Sequence, residues 1–466
     1  MLPDEVLLEI FNICVNQGQD SKEEMNKEMR SWQILIHVCR RWRIIVFGSP
    51  RRLNLRLFCT PQTPADDTLG IWPALPLLIQ GTISSASDAD NTTTMLDYSD
   101  RMRSINFEIS ISQCGYVSAA MQKPFPELTE LRLGSGFGLI LPDSFLGGSA
   151  PRLRVLSLSG VQFPGLPSLL LSATHLVVLH LKEYPSYGRV SRAVIATALP
   201  ALTRLEMLWL ELPQNWALFD ADSRRPPPST RSVLPALTRF TFRGYGEDLA
   251  LFMDQLDTPL LNRLSVTFLF DNLFHIRVDT TQLAQFIARA PRFRALDEAN
   301  IVFVDSEVKV KLASRAFGHE GPVVSIQSKW SLTTLAHICT PSFLPLSTVE
   351  RLYIYDIGYL DSERVVEHLH WWGFLRTFAD VKHIYVSQLF APRIVSKLQQ
   401  IIGGEMVEVF PYLQNVFIEG LQLSRPIREL FDAVRQPSGQ GPINVSHWNR
   451  LKDLEQDNIR DDDGFK

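Results

Sequence analysis

Pro151-Arg152-Leu153-Arg154-Val155-Leu156-Ser157-Leu158 is one statement of a phrase that the chain makes nine times. Its skeleton is L-x-x-L-x-L, with Val, Ile or Phe standing in for Leu. Copies begin at Leu128, Leu153, Leu176, Leu205, Leu237, Leu261, Val349, Val381 and Leu413. The intervals are 25, 23, 29, 32 and 24 residues in a first block, then 32 and 32 in a second. A Pro-x-Leu lead-in precedes many copies, as in Pro126-Glu127-Leu128, Pro200-Ala201-Leu202, Pro235-Ala236-Leu237 and Pro411-Tyr412-Leu413. Self-similarity at a period of roughly 20–50 residues marks a stack of repeats, none of which buries its apolar face alone. In each copy the leucines face inward from a strand and its turn. The residues between them point the other way, because side chains alternate along a strand.

The pattern is similar to leucine-rich repeats of an irregular kind. The asparagine that many such repeats place after the strand is absent, so a tight regular repeat is not expected. Residues 268 to 330 fit the phrase poorly. There Glu307-Val308-Lys309-Val310-Lys311-Leu312 and Val323-Val324-Ser325-Ile326 alternate with period two and predict an irregular pair of strands, like a hairpin, within the array. Helices are expected at Ser362 to Phe378, at Ala391 to Ile402 (proline near its start, Gly403-Gly404 after its end) and at Pro426 to Val434. Ser223 to Ser229, with three prolines, reads as a rigid surface connector. The polar, acidic tail from Lys452 reads as disordered.

Outward from the array toward the start, Gly81 to Thr94 is rich in Ser, Thr, Asp and Asn and reads as a turn or mobile loop, or a cap for a short helix running to Asp97. Trp72 to Ile79 reads as a short buried segment and Pro61 to Asp67 as a loop. Gly48-Ser49-Pro50 followed by alternating Leu53, Leu55 and Leu57 reads as a turn into a first strand.

The opening itself carries two phrases, Leu2-Pro3-Asp4-Glu5-Val6-Leu7-Leu8-Glu9-Ile10-Phe11 and Val38-Cys39-Arg40-Arg41-Trp42. Proline near the first helical position and acids in the first turn suit a helix N-terminus. Leu7, Ile10 and Phe11 recur at helical spacing, and Trp32, Leu35, Ile36, Cys39 and Trp42 do so on a second predicted helix.

Leu2, Pro3, Glu5, Leu7, Ile10, Phe11, Val38, Cys39, Arg40 and Trp42 together resemble the F-box, with a connection from Asn16 to Ser31 that is longer and more charged than the family's. An insertion in a connection costs little, since closure entropy grows with the logarithm of length. With Pro50 to Leu55, Asp143 to Pro151 and Leu352 to Asp356, nearly the whole chain resembles a large fungal, Agaricomycete-type family of F-box proteins with leucine-rich-repeat-like C-terminal regions. The resemblance implies an α/β chain. A small all-α F-box-like module (1–60) leads through a join (61–124) to an irregular leucine-rich-repeat solenoid (125–450) and a disordered acidic tail (451–466).

It also implies a substrate-recognition adaptor of a Skp/cullin/F-box ubiquitin ligase. The module docks a Skp-family linker protein and cullin scaffold through Leu2, Pro3, Leu7, Ile10, Phe11, Val38, Cys39 and Trp42, some of which face the module's own core. The array holds an unknown protein substrate. The alternative is a repeat scaffold that mediates protein–protein contacts outside any ligase.

Composition narrows the classes. A formal net charge of −4 argues against wholesale nucleic-acid binding. The five cysteines, Cys14, Cys39, Cys59, Cys114 and Cys339, are scattered without a C-x-x-C pair and signal neither a disulfide framework nor a zinc site. No signal peptide precedes the motif, and the most apolar run, Leu166 to Leu181, is interrupted by Ser and His. The expectation is a soluble intracellular protein, of cytoplasm or nucleus, with no membrane contact.

Chemistry-bearing motifs are few. Gly134 to Gly138 alternates glycine after a strand, but no helix start follows to face a phosphate, so a flexible repeat turn is expected. His368 and His370 lie two apart near Glu367, on different sides of a helix, with no third metal ligand. Neither G-x-S-x-G nor H-E-x-x-H occurs. No enzyme activity, cofactor or metal is expected. Arg40, Arg41, Arg43, Arg51, Arg52 and Arg56 crowd into an acid-free stretch and read as a solvated face at the join or a contact for an acidic partner.

The outward positions of the array are more informative. Tyr353, Tyr385 and Phe417 are equivalent residues spaced 32 apart, so stacking aligns them across adjacent strands. Trp209, Arg351, Tyr353, Tyr355, His383, Tyr385 and Phe417 are the expected substrate contacts, because aromatics and Arg dominate binding hot spots. The competing expectation is that the ladder packs beneath a cap formed by Ile443 to Trp448.

Overall fold

Each of the nine phrases is a strand, and within each unit the turn before a phrase stacks it on the neighbouring strand. The computed structural model describes residues 2–16, 31–182, 195, 198–212, 231–269, 281–304, 307–329, 346–357, 375, 377–391, 410–420 and 443–450. They belong to two units, Met1–Leu205 and Glu206–Lys466. The expected helices at 362–378, 391–402 and 426–434, the proline connector, His368 and His370, and the acidic tail lie wholly or almost wholly outside the described residues.

The first unit opens with α1 (Asp4–Asn16), α2 (Ser31–Ile36) and α3 (Arg40–Gly48). The second predicted helix is therefore two. Cys39 is extended (φ −161°, ψ 168°) and stands as the N-cap of α3, so the Val38-Cys39-Arg40 phrase straddles a break. Phe11 and Trp32 are buried. Trp42 lies 4.7 Å from Phe11, and Trp32 packs edge-on to Phe47 and Trp72 at 6.1 and 5.4 Å. The Trp32 indole N–H donates to the Arg56 carbonyl at 3.0 Å, tying the helices to the segment that follows.

Six parallel strands succeed one another in chain order: β1 (Leu57–Cys59), β2 (Leu77–Ile83), β3 (Met102–Ile109), β4 (Glu130–Ile140), β5 (Val155–Gln162) and β6 (Val178–Lys182). The connections hold α4 (Ala65–Ile71), α5 (Ala86–Leu96), α6 (Cys114–Ala120) and α7 (Leu166–Ser172).

Two expectations in this unit need correction, and of the alternatives for 81–94 the capped short helix is the one present. The alternating leucines at 53 and 55 sit in a turn, with Asn54 at φ 50°, and the strand begins only at Leu57. Part of the expected loop at 61–67 begins α4. The polar stretch 81–94 finishes β2 and builds α5. Its Ser and Asp are a helix start, since the Ser85 hydroxyl accepts from the Asp88 N–H at 3.1 Å while Asp88 Oδ2 accepts from the Ser85 N–H at 2.9 Å.

The second unit contains β7 (Met207–Glu211), β8 (Ser232–Val233), β9 (Arg239–Gly244), α8 (Gly246–Gln255), β10 (Leu256–Asp257), β11 (Arg263–Phe268) and α9 (Thr281–Arg289). There follow β12 (Glu298–Val304), β13 (Glu307–Ala313), β14 (Val323–Lys329), β15 (Arg351–Ile357), β16 (His383–Val386), β17 (Asn415–Glu419) and β18 (Asn444–Trp448). The expected hairpin is present, as β13 antiparallel to β14. It is part of a three-strand meander, because β12 pairs antiparallel with β13. Strand order becomes β11-β14-β13-β12-β15, and parallel pairing continues on both flanks of the meander.

The stacking device repeats along both units. Just past each lead-in leucine, a backbone N–H donates to the equivalent carbonyl of the strand before. Thr129 donates to Arg103 at 2.9 Å, Arg154 to Thr129 at 2.8 Å and Val177 to Arg154 at 2.8 Å. In the second unit Asn262 donates to Thr238 at 2.9 Å, Lys382 to Glu350 at 2.8 Å, Gln414 to Lys382 at 2.8 Å and Asn444 to Gln414 at 2.9 Å. Beneath these turns Leu128, Leu153, Leu176, Leu205, Leu237, Leu261, Val349, Val381 and Leu413 are all buried. Within each unit this is a leucine-rich-repeat-like α/β fold.

Candidate functional site

Helix α1 is apolar on two sides. Leu7, Leu8, Phe11 and Val15 form the buried side. Val6, Ile10 and Ile13, spaced four and three apart, form a second stripe that stays 42%, 41% and 47% exposed, with Leu2 at 51% just ahead of the helix. Ile34 on α2, Val38 at the break and Ile44 on α3 are exposed as well. A helix needs only one apolar stripe to join a core, so the second is surplus to the fold.

The eight residues expected to dock a linker therefore separate. Leu2, Pro3, Ile10, Val38 and Cys39 are exposed; Leu7 and Phe11 are interior; Trp42 is half-buried against Phe11. Charges brace the helices around them. Arg41 donates through Nε to Asp4 Oδ1 at 2.9 Å and through Nη2 to the Leu2 carbonyl at 2.6 Å. Arg52 pairs with Glu9 at 2.7 Å, and Arg43 Nε donates to the Ile36 carbonyl at 3.1 Å. Half of the arginine run thus holds the module and its join together.

On the outward face of the second unit, pairing places Tyr353 opposite Tyr385 and Tyr385 opposite Phe417. Their rings stack at 4.2 Å and 11°, then at 4.4 Å and 6°. One row away, Asn415 Nδ2 meets His383 Nδ1 at 3.0 Å.

The Trp448 side chain, on β18 beside β17, covers this ladder. Trp448 lies 5.9 Å from Tyr353, 6.1 Å from Tyr355 and 5.7 Å from Tyr385. Val302, Tyr353, Tyr355 and Trp448 make a buried cluster, flanked by partly buried Val304, Tyr385 and Phe417. Arg450 secures the end. It pairs with Glu419 at 3.1 Å, donates to the Asp356 carbonyl at 2.8 Å and lies 5.7 Å over the Tyr355 ring. Burial, with Glu298 and Tyr385 adding to it, raises the Tyr353 phenol above its ordinary range.

Of the seven expected substrate contacts, then, Tyr353 and Tyr355 are covered, while Arg351, His383, Tyr385 and Phe417 are half-buried. Trp209 is not part of the cluster; β7 is six strands from β15 in the order β7-β9-β11-β14-β13-β12-β15. The contributions of Val302 and Arg450 are not marked by the repeat phrase. The signal for Val302 is the nearly unbroken apolar run of β12.

Gly134 to Gly138 does not form a cradle or a turn between elements. The run lies inside β4, where pairing with β5 passes from Gly134–Ser159 to Leu139–Val161 across a bulge. A Cβ at Gly134 would overlap the Glu108 carboxylate, so this glycine makes room for a neighbouring strand's side chain. Among the described residues no three His, Cys, Asp or Glu side chains gather as metal ligands. Nor does any described helix have the length and apolarity to cross a membrane.

No family model matches the chain. No curated protein matches it either. Among solved structures, it aligns with a chain from the crystal structure of the Rad7 and Elc1 complex in yeast at 13% identity, over 95% of this chain and 92% of that one, with a TM-score of 0.34. An alignment that loose transfers neither partner nor function.

Proposed function

We propose that the chain is a substrate adaptor of a Skp/cullin/F-box-type ubiquitin ligase, its opening helices docking a Skp-family linker and its repeat array holding a protein substrate. One observation carries this reading: α1 keeps a second apolar stripe, Val6, Ile10 and Ile13, exposed to solvent beside Leu2. Apolar residues clustered on a surface mark a protein-contact site when they serve no internal packing. A helical module that only buttressed the array would turn such a stripe inward, which is why the scaffold alternative takes second place.

The mechanism is proximity. Tethering a substrate beside a charged ubiquitin carrier raises its effective concentration without a catalytic group on the adaptor. The test is co-purification of the tagged chain from a fungal lysate, alongside a Val6→Asp/Ile10→Asp variant whose folding is checked by circular dichroism. Linker and cullin peptides recovered with the parent and lost with the folded variant support the adaptor. Failure of the parent to recover them puts the scaffold reading ahead.

A further inference from the structure

Leu2 belongs with the exposed stripe of Val6, Ile10 and Ile13 but stands outside α1. The other three are fixed by the helix, which is seated through Leu7, Leu8, Phe11 and Val15 on its buried side. The Leu7 N–H donates to the Pro3 carbonyl at 3.1 Å, which brings Pro3 into the helical ladder. Leu2 lies one residue beyond that bond. Pro3 confines it to extended backbone but does not fix where that backbone points.

The Leu2 carbonyl is held from a different helix. Arg41, in the first turn of α3, donates to it through Nη2 at 2.6 Å and to Asp4 Oδ1 through Nε at 2.9 Å. Nη2 reaches Asp4 Oδ1 as well. One planar guanidinium therefore spans the first residue of α1 and the residue two places ahead of it, a geometry that a lysine ammonium does not reproduce. The base of this fork is fixed, since Ile45 and Val46 of α3 are buried.

Position is what the fork supplies, more than stability. The Asp4 side chain is 62% exposed, and pairs in that setting add little to folding. The pair of Arg52 with Glu9, at 2.7 Å, is the natural comparison. It too is exposed and braces α1, but more than one turn further along the helix.

We propose that Arg41 is a positioning residue of the docking surface, holding Leu2 at the head of the Val6, Ile10 and Ile13 stripe before a linker protein arrives. The inference rests on the reading of these helices as the linker-docking module. Ordering a segment in advance strengthens association by removing a cost of binding, without any new contact.

The test is a calorimetric titration of a purified Skp-family linker protein into the full-length chain and its variants. Arg41→Met weakens binding about fivefold, and Arg41→Lys does so to within a factor of about two, because it keeps the Asp4 pair but not the fork. Leu2→Ala weakens binding about tenfold through lost apolar contact. In the Leu2→Ala background, Arg41→Met costs less than about twofold more, since the side chain it acts through is already gone. Arg52→Met stays within about twofold of the parent, and all melting temperatures stay within about 3 °C. Should Arg41→Met melt lower than that, Arg41→Lys carries the comparison in its place.

Parent-like binding by Arg41→Met overturns the proposal. Equal weakening by Arg52→Met also overturns it, by making both pairs general braces of α1. A further fivefold loss on top of Leu2→Ala does so too, by making Arg41 a direct contact. A folded parent that binds no linker overturns the ligase reading and this inference with it. A parent that binds while the Arg41 variants match it overturns this inference alone.

Discussion

Trp448 shows how a single residue decides what a surface is for. The 32-residue spacing of Tyr353, Tyr385 and Phe417 made their alignment legible in the sequence, and the rings do stack. Whether the ladder met solvent was not legible, because the answer depends on a strand that follows the last repeat phrase. Trp448 sits on that strand and is 2% exposed. Trp448→Ala is expected to destabilise the second unit by about 3–5 kcal/mol, the usual cost of truncating a buried aromatic. Thermal melts check this, and an unchanged melt would place the ladder's packing elsewhere. His180 offers a second test. Burial, with Lys182 and Arg132 contributing, lowers its pKa to about 4, and Ser157 Oγ lies 3.1 Å from Nδ1. A histidine held neutral in the fold contributes stability above its unfolded pKa of about 6.5 that is lost as pH falls toward the folded value. Melting temperature should therefore decline between pH 6.5 and 4 more steeply in the parent than in His180→Asn. Parallel pH profiles would contradict it.

At the level of elements, the sequence was most readable where one physical signal stood alone. The nine leucine phrases are strands because their inward positions and lead-in turns recur together. Strand β12 has a lead-in, Pro291-Arg292-Phe293, but carries Ala299 where the phrase has leucine, and the reversed order β14-β13-β12 is a topological choice that no local pattern records. Helix α5 was obscured for the opposite reason: Ser85 and Asp88 belong equally to loops and to helix starts, and only their mutual hydrogen bonds decide. Ser85→Ala removes one bond of that pair and should cost about 1 kcal/mol. Hydrogen exchange across residues 86–96 should quicken by a comparable factor, and unchanged protection would show that packing alone holds the helix. In β4, Gly134→Ala drives a methyl group into the space of the Glu108 carboxylate, whose pKa burial already raises. Glu108 is exposed and its carboxylate is the far end of a flexible side chain that can swing aside, so the expected loss is small, within about 0.5 kcal/mol. A loss above about 1 kcal/mol that Glu108→Ala relieves in a double-mutant cycle would show instead that the carboxylate is held in place.

In the whole molecule, short opening helices with an exposed apolar stripe precede repeat units built of stacked strands. The residues expected from the F-box resemblance are of two kinds. Leu7 and Phe11 hold the module together, whereas Leu2, Ile10 and Val38 are exposed, and helical spacing alone could not separate two apolar stripes on one helix. The most direct test is a calorimetric titration of a purified Skp-family linker protein into the purified full-length chain. The comparison variants are Val6→Asp/Ile10→Asp and, as a control at an exposed apolar site off the three opening helices, Ile71→Asp. The account predicts saturable one-to-one binding by the parent and the control. It predicts at least a hundredfold loss, about 2.7 kcal/mol, in the double variant. No saturable binding by the folded parent, or equal binding by the double variant, would contradict it.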